Sequence, residues 1–393
     1  MTESGPVQSS LPDLDDGPVR RAQPPTGTLP SQIIRQLIQS KEIRAVREVT
    51  PKQIQPASLD LRLGAKAHRV RASFLPGPER SVAQKIDELS LHQIDLTPGA
   101  VLESGCVYVA QLEEGLALTG AIAGWANPKS SVGRLDVFTR LITDRATEFD
   151  RVPPGYNGPL YAEISPQTFS ILARQGSRLN QLRLGRGSRK TSKAERRAVH
   201  GEVELVGDEP RENKGTAQAL DITVDLAGDR VTGLVGFRAK RHTALIDIDR
   251  IGAYEPAEFW DPIFETQERR LVLDPHEFYI LASRELVKVP PDYAAEMAAY
   301  DTQVGEFRAH YAGFFDPGFG YQAGGGPGTR AVLEVRSHKV PFFLEHGQIV
   351  GRLVYERMAA PPDELYGEGI GSSYQTQGLA LSKHFKAFTP GRR

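Results

Sequence analysis

Pro154-Gly-Tyr-Asn-Gly-Pro-Leu-Tyr-Ala-Glu163, followed thirteen residues after its glutamate by Gly176-Ser-Arg-Leu179, has an echo later in the same chain. Pro317-Gly-Phe-Gly320 leads to Val332-Leu-Glu334, and thirteen residues again separate the glutamate from Gly347-Gln-Ile-Val350. The later copy carries eight extra residues between Pro-Gly and glutamate, around Gly324-Gly-Gly-Pro-Gly328, which reads as a longer hairpin tip. Outward from these words, other landmarks keep the same order. Asp95-Leu-Thr-Pro98, Cys106-Val-Tyr-Val109, Glu114-Gly-Leu-Ala-Leu118 and Val132-Gly133 precede the first copy. Leu273-Asp-Pro275, Phe278-Tyr-Ile-Leu281, Glu285-Leu-Val-Lys-Val289 and Val304-Gly305 precede the second. The chain reads as a duplicated unit, and each motif must be judged against its counterpart.

Gly (38) and Pro (28) punctuate short apolar runs throughout, the pattern of a mainly β protein with many turns. Strands are expected over 58–63, 100–111 with 116–118, 160–164, 169–173 and 179–184, and again over 220–226, 231–238 and 244–248. Ile33, Ile34, Leu37 and Ile38 share one face of an amphipathic helix within 30–44. Residues 1–27 are too poor in apolar side chains to offset the entropy of ordering and read as a disordered tail. Arg186, Arg189, Lys190, Lys193, Arg196 and Arg197 crowd a stretch without aromatic interleaving, which reads as a solvated linker rather than a base-stacking surface. The expected organisation is therefore a tail over 1–27, a first barrel over 28–184, a basic linker over 185–215, a second barrel over 216–360 and a closing segment over 361–393.

Charge excludes several functions. Lys plus Arg total 48 against 49 Asp plus Glu, so no net field recruits nucleic acid or an anionic membrane. One cysteine, Cys106, excludes intrachain disulfides and any zinc site built on paired cysteines. No apolar run approaches the ~20 residues of a membrane span, and the start lacks a signal-peptide pattern, so a soluble, cytoplasmic protein is expected. Trp125 and Trp260 are assigned to core packing, and His310 and His338 to polar surface roles.

The chemistry concentrates in Lys129-Ser-Ser-Val-Gly-Arg134, where two hydroxyls, a glycine and flanking cations make a compact anion cradle. A Ser/Gly turn with surface cations accounts for the same residues, and the Walker pattern is absent. Together with Gln55-Pro-Ala-Ser-Leu-Asp-Leu-Arg-Leu-Gly64, Asp316-Pro-Gly-Phe319, Gly347-Gln-Ile-Val350 and Tyr374-Gln-Thr-Gln-Gly378, followed by Ser382-Lys383, this segment resembles the successive motifs of dCTP deaminases, within the dUTPase-like superfamily. The resemblance spans about 29–390 and runs twice.

It implies two tandem dUTPase-like distorted β-barrels with a few short helices, assembled as a homo-oligomer with nucleotide sites between barrels. It further implies hydrolysis of dCTP to dUTP and ammonia without zinc, Mg2+ arriving on the triphosphate, and raises dTTP as a regulator. Without paired cysteines to make zinc-bound hydroxide, a carboxylate aided by a hydroxyl and a guanidinium is a sufficient base. Both Glu163 and Glu334 are candidates. The copies differ in what surrounds them. The second keeps the family's Ala312 and Asp316-Pro317-Gly318, where the first has Phe149 and Pro153-Pro154-Gly155. The first keeps Ser130, Ser131 and Arg134, where the second reads Asp301-Thr-Gln-Val-Gly-Glu306. Two unit charges ~4 Å apart interact by about 4 kcal/mol at an effective dielectric of about 20, so carboxylates at the phosphate position reverse a large contribution.

The expectation is complementary loss. Barrel one supplies Lys129, Ser130, Ser131 and Arg134; barrel two supplies Ala312, Asp316 for the 3′-hydroxyl and Glu334 as base; Tyr374, Gln377 and Lys383 close over the triphosphate. Sites formed within assemblies of barrel one, using Glu163, are the competing arrangement. A dUTP diphosphatase or bifunctional enzyme, and a noncatalytic nucleotide-binding barrel, are the competing functions.

Overall fold

A computed structural model describes residues 25–207, 219–298, 307–309, 313–322, 326–337, 339–367 and 378–389. The first barrel is organised around the strand Leu59–Val70, whose first half pairs with Arg178–Arg186 and whose second half pairs with Val107–Ala117. The switch falls at Gly64, where an added Cβ would lie 2.7 Å from the Gln111 carbonyl oxygen, so only glycine lets the two backbones approach. Asn157–Pro166 then bridges Val107–Ala117 and Val137–Thr143, while Ile122–Pro128 flanks Arg178–Arg186.

The same frame recurs in the second half. Leu220–Thr223 pairs with Ile349–Arg357, Leu234–Ala239 with Phe278–Val287, and Phe278–Val287 with Thr329–Ser337. What is one long strand in the first copy is two strands in the second, separated by residues 224–233. The structure also moves the sequence alignment of the copies by one position. Tyr108 and Tyr279 correspond, because each hydroxyl accepts the backbone N–H five residues upstream, from Glu103 and Asp274, at 3.0 Å in both. Matching Cys106 to Phe278 is therefore one residue out; Val107 is the partner of Phe278. A slip of one would turn every side chain to the opposite face, and the hydrogen-bonded tyrosines fix the register. Val109 then faces Glu163 across its ladder as Ile280 faces Glu334.

The expected amphipathic helix runs over Ser31–Gln39 and buries Ile34 and Leu37. The basic stretch differs from a solvated linker. It holds the helix Lys193–Val203, whose N-terminus is capped by the Ser192 hydroxyl accepting from the Glu195 N–H at 3.2 Å, and Arg196 within it is 5% exposed. The reason is that Val199, Leu205 and Val206 pack on the second barrel's core, which anchors the segment despite its charge. Gly27, the last residue of the expected tail, pairs with Arg186, and Thr28 with Gly185.

The barrels share a core. Phe237, Phe259, Trp260, Phe278 and Ile280 from the second half and Leu381 and Phe385 from the C-terminal segment join the first barrel's cluster around Leu61, Leu112 and Leu182. Trp260 packs edge-on to Phe169 at 5.4 Å and to Phe385 at 5.9 Å. Trp260 is buried in this shared core, as expected; Trp125 is also buried but joins none of the hydrophobic clusters, its ring lying under the Arg189 guanidinium. Ile246–Asp247 adds a parallel strand to Ile171–Ala173 of barrel one. Among the described residues no helix is long and apolar enough to cross a membrane.

Candidate functional site

Lys129-Ser-Ser-Val-Gly-Arg134 forms a single tight turn, Ser130–Gly133, entered from the strand Ile122–Pro128 and left toward Val137–Thr143. Its glycine marks the meeting point of the two barrels. A Cβ added at Gly133 would lie 2.5 and 2.6 Å from the two carboxylate oxygens of Glu334, closer than nonbonded atoms come. Glu334 sits on Thr329–Ser337, is 2% exposed, and lays its carboxylate against this turn of the other copy. Arg134, the next residue, is itself buried and donates from Nη1 to the Ala380 carbonyl at 3.0 Å.

The cradle extends beyond the turn. Lys129 Nζ pairs with the buried Asp60 carboxylate, which also receives Arg178 Nη1 at 3.3 Å. Lys383 lies beside this group; burial pushes its ammonium below the ordinary lysine range, and Lys129 and Arg178 push it the same way. Lys129, Arg178 and Lys383 thus converge around Asp60, and Asp249 is a second carboxylate acting on Lys383. The C-terminal segment is fastened above the turn: Ser382 Oγ donates to the Ser131 carbonyl at 2.6 Å and lies 2.8 Å from His384 Nδ1. His384 Nε2 faces the Ile248 carbonyl at 2.8 Å, and burial pushes the imidazole down to about 4, so it is neutral at physiological pH.

Asp316 reaches the site from the second barrel's hairpin. Burial raises its pKa, while the guanidinium of Arg183 acts in the opposite direction. Arg183 comes from barrel one, is fully buried, and donates to Asp316 Oδ1 at 3.1 Å, to the Phe315 carbonyl at 3.0 Å and to the Ala295 carbonyl at 3.0 Å. Its guanidinium carbon stands 4.1 Å from the Phe314 ring centroid. Gly318, at φ +97°, turns this hairpin as Gly155, at φ +71°, turns its counterpart; both conformations favour glycine.

The structure therefore brings Lys129, Ser130, Ser131, Arg134, Asp316, Glu334 and Lys383 around one locus within a single chain. Ala312, Tyr374 and Gln377, like the acidic segment 301–306, lie outside the described residues.

Glu163 stands elsewhere, on the first barrel. It is 1% exposed and paired with Arg140, its direct cross-strand neighbour, which donates from Nε at 3.1 Å and from Nη2. Arg140 is in turn stacked 3.5 Å from the Phe149 ring centroid and bonded to Ser73. Residues 71–89 fold back over this face: the helix Val82–Leu89 presses Val82 and Ile86 onto Val109, Ile142 and Tyr161. The corresponding segment of copy two, 240–259, crosses to barrel one, where Ile246 pairs with Ile171 and Phe259 packs 5.9 Å from Phe169.

Sequence reasoning did not assign Asp60, Arg178, Arg183, Ser382 or His384. Asp60, Arg178 and Ser382 stand within the motif words quoted above, so a signal existed. Arg183 had none, because one arginine among the three of the strand Arg178–Arg186 does not disclose that it crosses to another barrel. Among the described residues no group of three His, Cys, Asp or Glu side chains is arranged to hold a metal ion.

Two family models match the chain. One described as the 2′-deoxycytidine 5′-triphosphate deaminase N-terminal domain matches residues 25–188, and one described as its C-terminal domain matches 192–385. A protein of Beutenbergia cavernae named "dCTP deaminase, dUMP-forming" is 30% identical over 150 residues, 36% of this chain and 74% of that protein. A protein of the same name from Parafrankia sp. is 30% identical over 171 residues, 42% of this chain and 78% of that protein. The crystal structure of 2′-deoxycytidine 5′-triphosphate deaminase from Agrobacterium tumefaciens shares 54% identity and superposes with a TM-score of 0.80, covering 85% of this chain and 99% of that one.

Proposed function

The chain belongs to the dCTP deaminase family, and on that footing we propose that it removes the cytosine 4-amino group of dCTP by hydrolysis, at a site completed by both barrels of one chain. The observation that carries this reading is the Glu334 carboxylate lying against Gly133, in the turn whose sequence keeps the two serines and the arginine that the other copy lacks.

In this reading Glu334 takes a proton from water as its oxygen bonds to C4, and returns a proton to the amine as the C4–N bond breaks, leaving a uracil carbonyl and ammonia. Arg134 and Ser130 orient the water and the glutamate, and fixed donors near the reacting centre stabilise charge as it develops. Lys129, Ser131, Arg178 and Lys383 hold the triphosphate. Asp316, kept in place by Arg183, receives the deoxyribose 3′-hydroxyl. Ala312 borders the base, and Tyr374 and Gln377 belong to the closing segment that excludes water. Asp60 and Asp316 are engaged by cations of the protein itself, which supports magnesium entering on the phosphates rather than on resident carboxylates.

Deamination alone yields dUTP. A second reading, in which the product is carried on to dUMP, is favoured by the relatives named dUMP-forming. Incubation with dCTP and magnesium, with ammonia assayed and nucleotides separated by chromatography, distinguishes the two: dUTP with ammonia is the expected result. Accumulating dUMP and pyrophosphate selects the second reading. Tight dCTP binding without ammonia would overturn both in favour of a noncatalytic barrel.

A further inference from the structure

Barrel one carries a cavity of about 640 Å3 between the strand Ile122–Pro128, the turn after Val137–Thr143 and the hairpin of Pro153 and Pro154. None of the site residues described above lines it. Its volume falls in the range of small-ligand pockets, about 300–1,000 Å3. The hairpin in its wall is the counterpart of the one that carries Asp316, so the cavity occupies ground that the second copy uses for its own site, but with different side chains.

Those side chains are cationic. Arg145, Arg151 and Arg189 line the cavity against one carboxylate, Glu148. Glu148 stands 3.9 Å from Arg151, and Arg189 is paired with Glu356 while stacked 3.2 Å from the Trp125 ring centroid. Arg145 is exposed, has no ion-pair partner among the described residues, and sits at φ 62°, a conformation uncommon for a residue with a side chain.

We propose that this cavity is a second binding site, for a phosphate-bearing ligand of nucleotide size. Guanidinium groups are the side chains best matched to phosphate oxygens, because each offers a planar fork of donors. The site has no base of its own: Glu163 is sealed behind Arg140, and Glu148 is exposed beside Arg151. It therefore binds without turning over, and the proposal stands whether or not the deaminase reading holds.

Inorganic pyrophosphate titrated into the full-length protein by calorimetry tests it. Two binding events per chain are expected. The double variant Arg145→Ala, Arg151→Ala should weaken one of them on the order of a hundredfold, from roughly tenfold per charged hydrogen-bonding partner, and leave the other intact. Lys129→Ala with Lys383→Ala should do the reverse. Both arginines are exposed, so the variant should melt as the parent does. Glu148→Gln provides an independent arm: loss of the opposing carboxylate should tighten the same event severalfold. A single event insensitive to the arginine variant, or affinity unmoved by Glu148→Gln, would overturn the proposal.

Discussion

Glu163 and Glu334 occupy matching positions on matching strands, yet their surroundings share almost nothing. Glu163 is neutralised by a cross-strand arginine and roofed by residues 71–89. Glu334 faces a turn from the other copy that carries two hydroxyls and an arginine. The strand frame does not decide between them. The segment joining two paired strands does: in copy one it folds back on its own barrel, and in copy two it crosses to the neighbour. A glutamate inherited by both halves of a duplication thus meets the other copy's turn in one and an arginine of its own barrel in the other.

The sharpest way to break this comparison is to exchange each glutamate for its amide. Glu334→Gln should lower kcat for ammonia release by about 10²–10⁴ while dCTP still binds, the range expected for loss of a general base. Glu163→Gln should leave kcat within a few fold. Steady-state kinetics with direct ammonia detection decides, and equal loss from both variants would erase the distinction.

Stability should show the opposite bias. Arg140→Met leaves the Glu163 carboxylate buried without its partner, and breaking a buried pair from one side costs about 3–5 kcal/mol. Urea unfolding should register that loss, and Arg140→Met with Glu163→Leu should recover most of it. If the single variant is as stable as the parent, Glu163 is not locked as described.

A smaller effect is expected where the copies touch. Gly133→Ala puts a methyl group where the Glu334 carboxylate lies, and displacement of a catalytic group by about 1 Å costs on the order of a hundredfold. The loss should fall on kcat, with KM for dCTP changed little and the melting temperature preserved. An unchanged kcat would mean that Glu334 acts from some other position.

The mildest expectation concerns pH. Burial and like charges lower the pKa of Lys383, so its positive charge is lost at a lower pH than that of an ordinary lysine. kcat/KM, which reports the free enzyme, should fall as pH rises through that lowered value. Lys383→Arg should carry activity to more alkaline pH, because a guanidinium remains charged there. Coincident pH profiles for parent and variant would remove Lys383 from the phosphate cradle.

Much of the candidate site was legible in the sequence. Ser130, Ser131, Arg134 and Asp316 stand out because one copy retains what the other has replaced, and Glu334 because both copies keep a glutamate there while only its own copy keeps the Asp-Pro-Gly hairpin. Other features were not legible. The sequence words set the copies one residue out around Tyr108 because their apolar residues are interchangeable there, and the tyrosine hydrogen bonds and strand ladders of the fold fix the register. The basic stretch after Arg186 read as solvated because charge density masks the few apolar residues that anchor it.

By itself the order of residues determined a repeated β unit, the turns at Gly155 and Gly318, and which copy kept the cations and which the Asp-Pro-Gly hairpin; these follow from short-range periodicity and from backbone conformations that few side chains tolerate. Only the folded chain decided that Glu334 meets Gly133, that Arg183 crosses to Asp316 and that Glu163 is sealed. Those pairings join residues far apart along the backbone. They depend on which apolar faces cover one another, and that is a property of the packed whole.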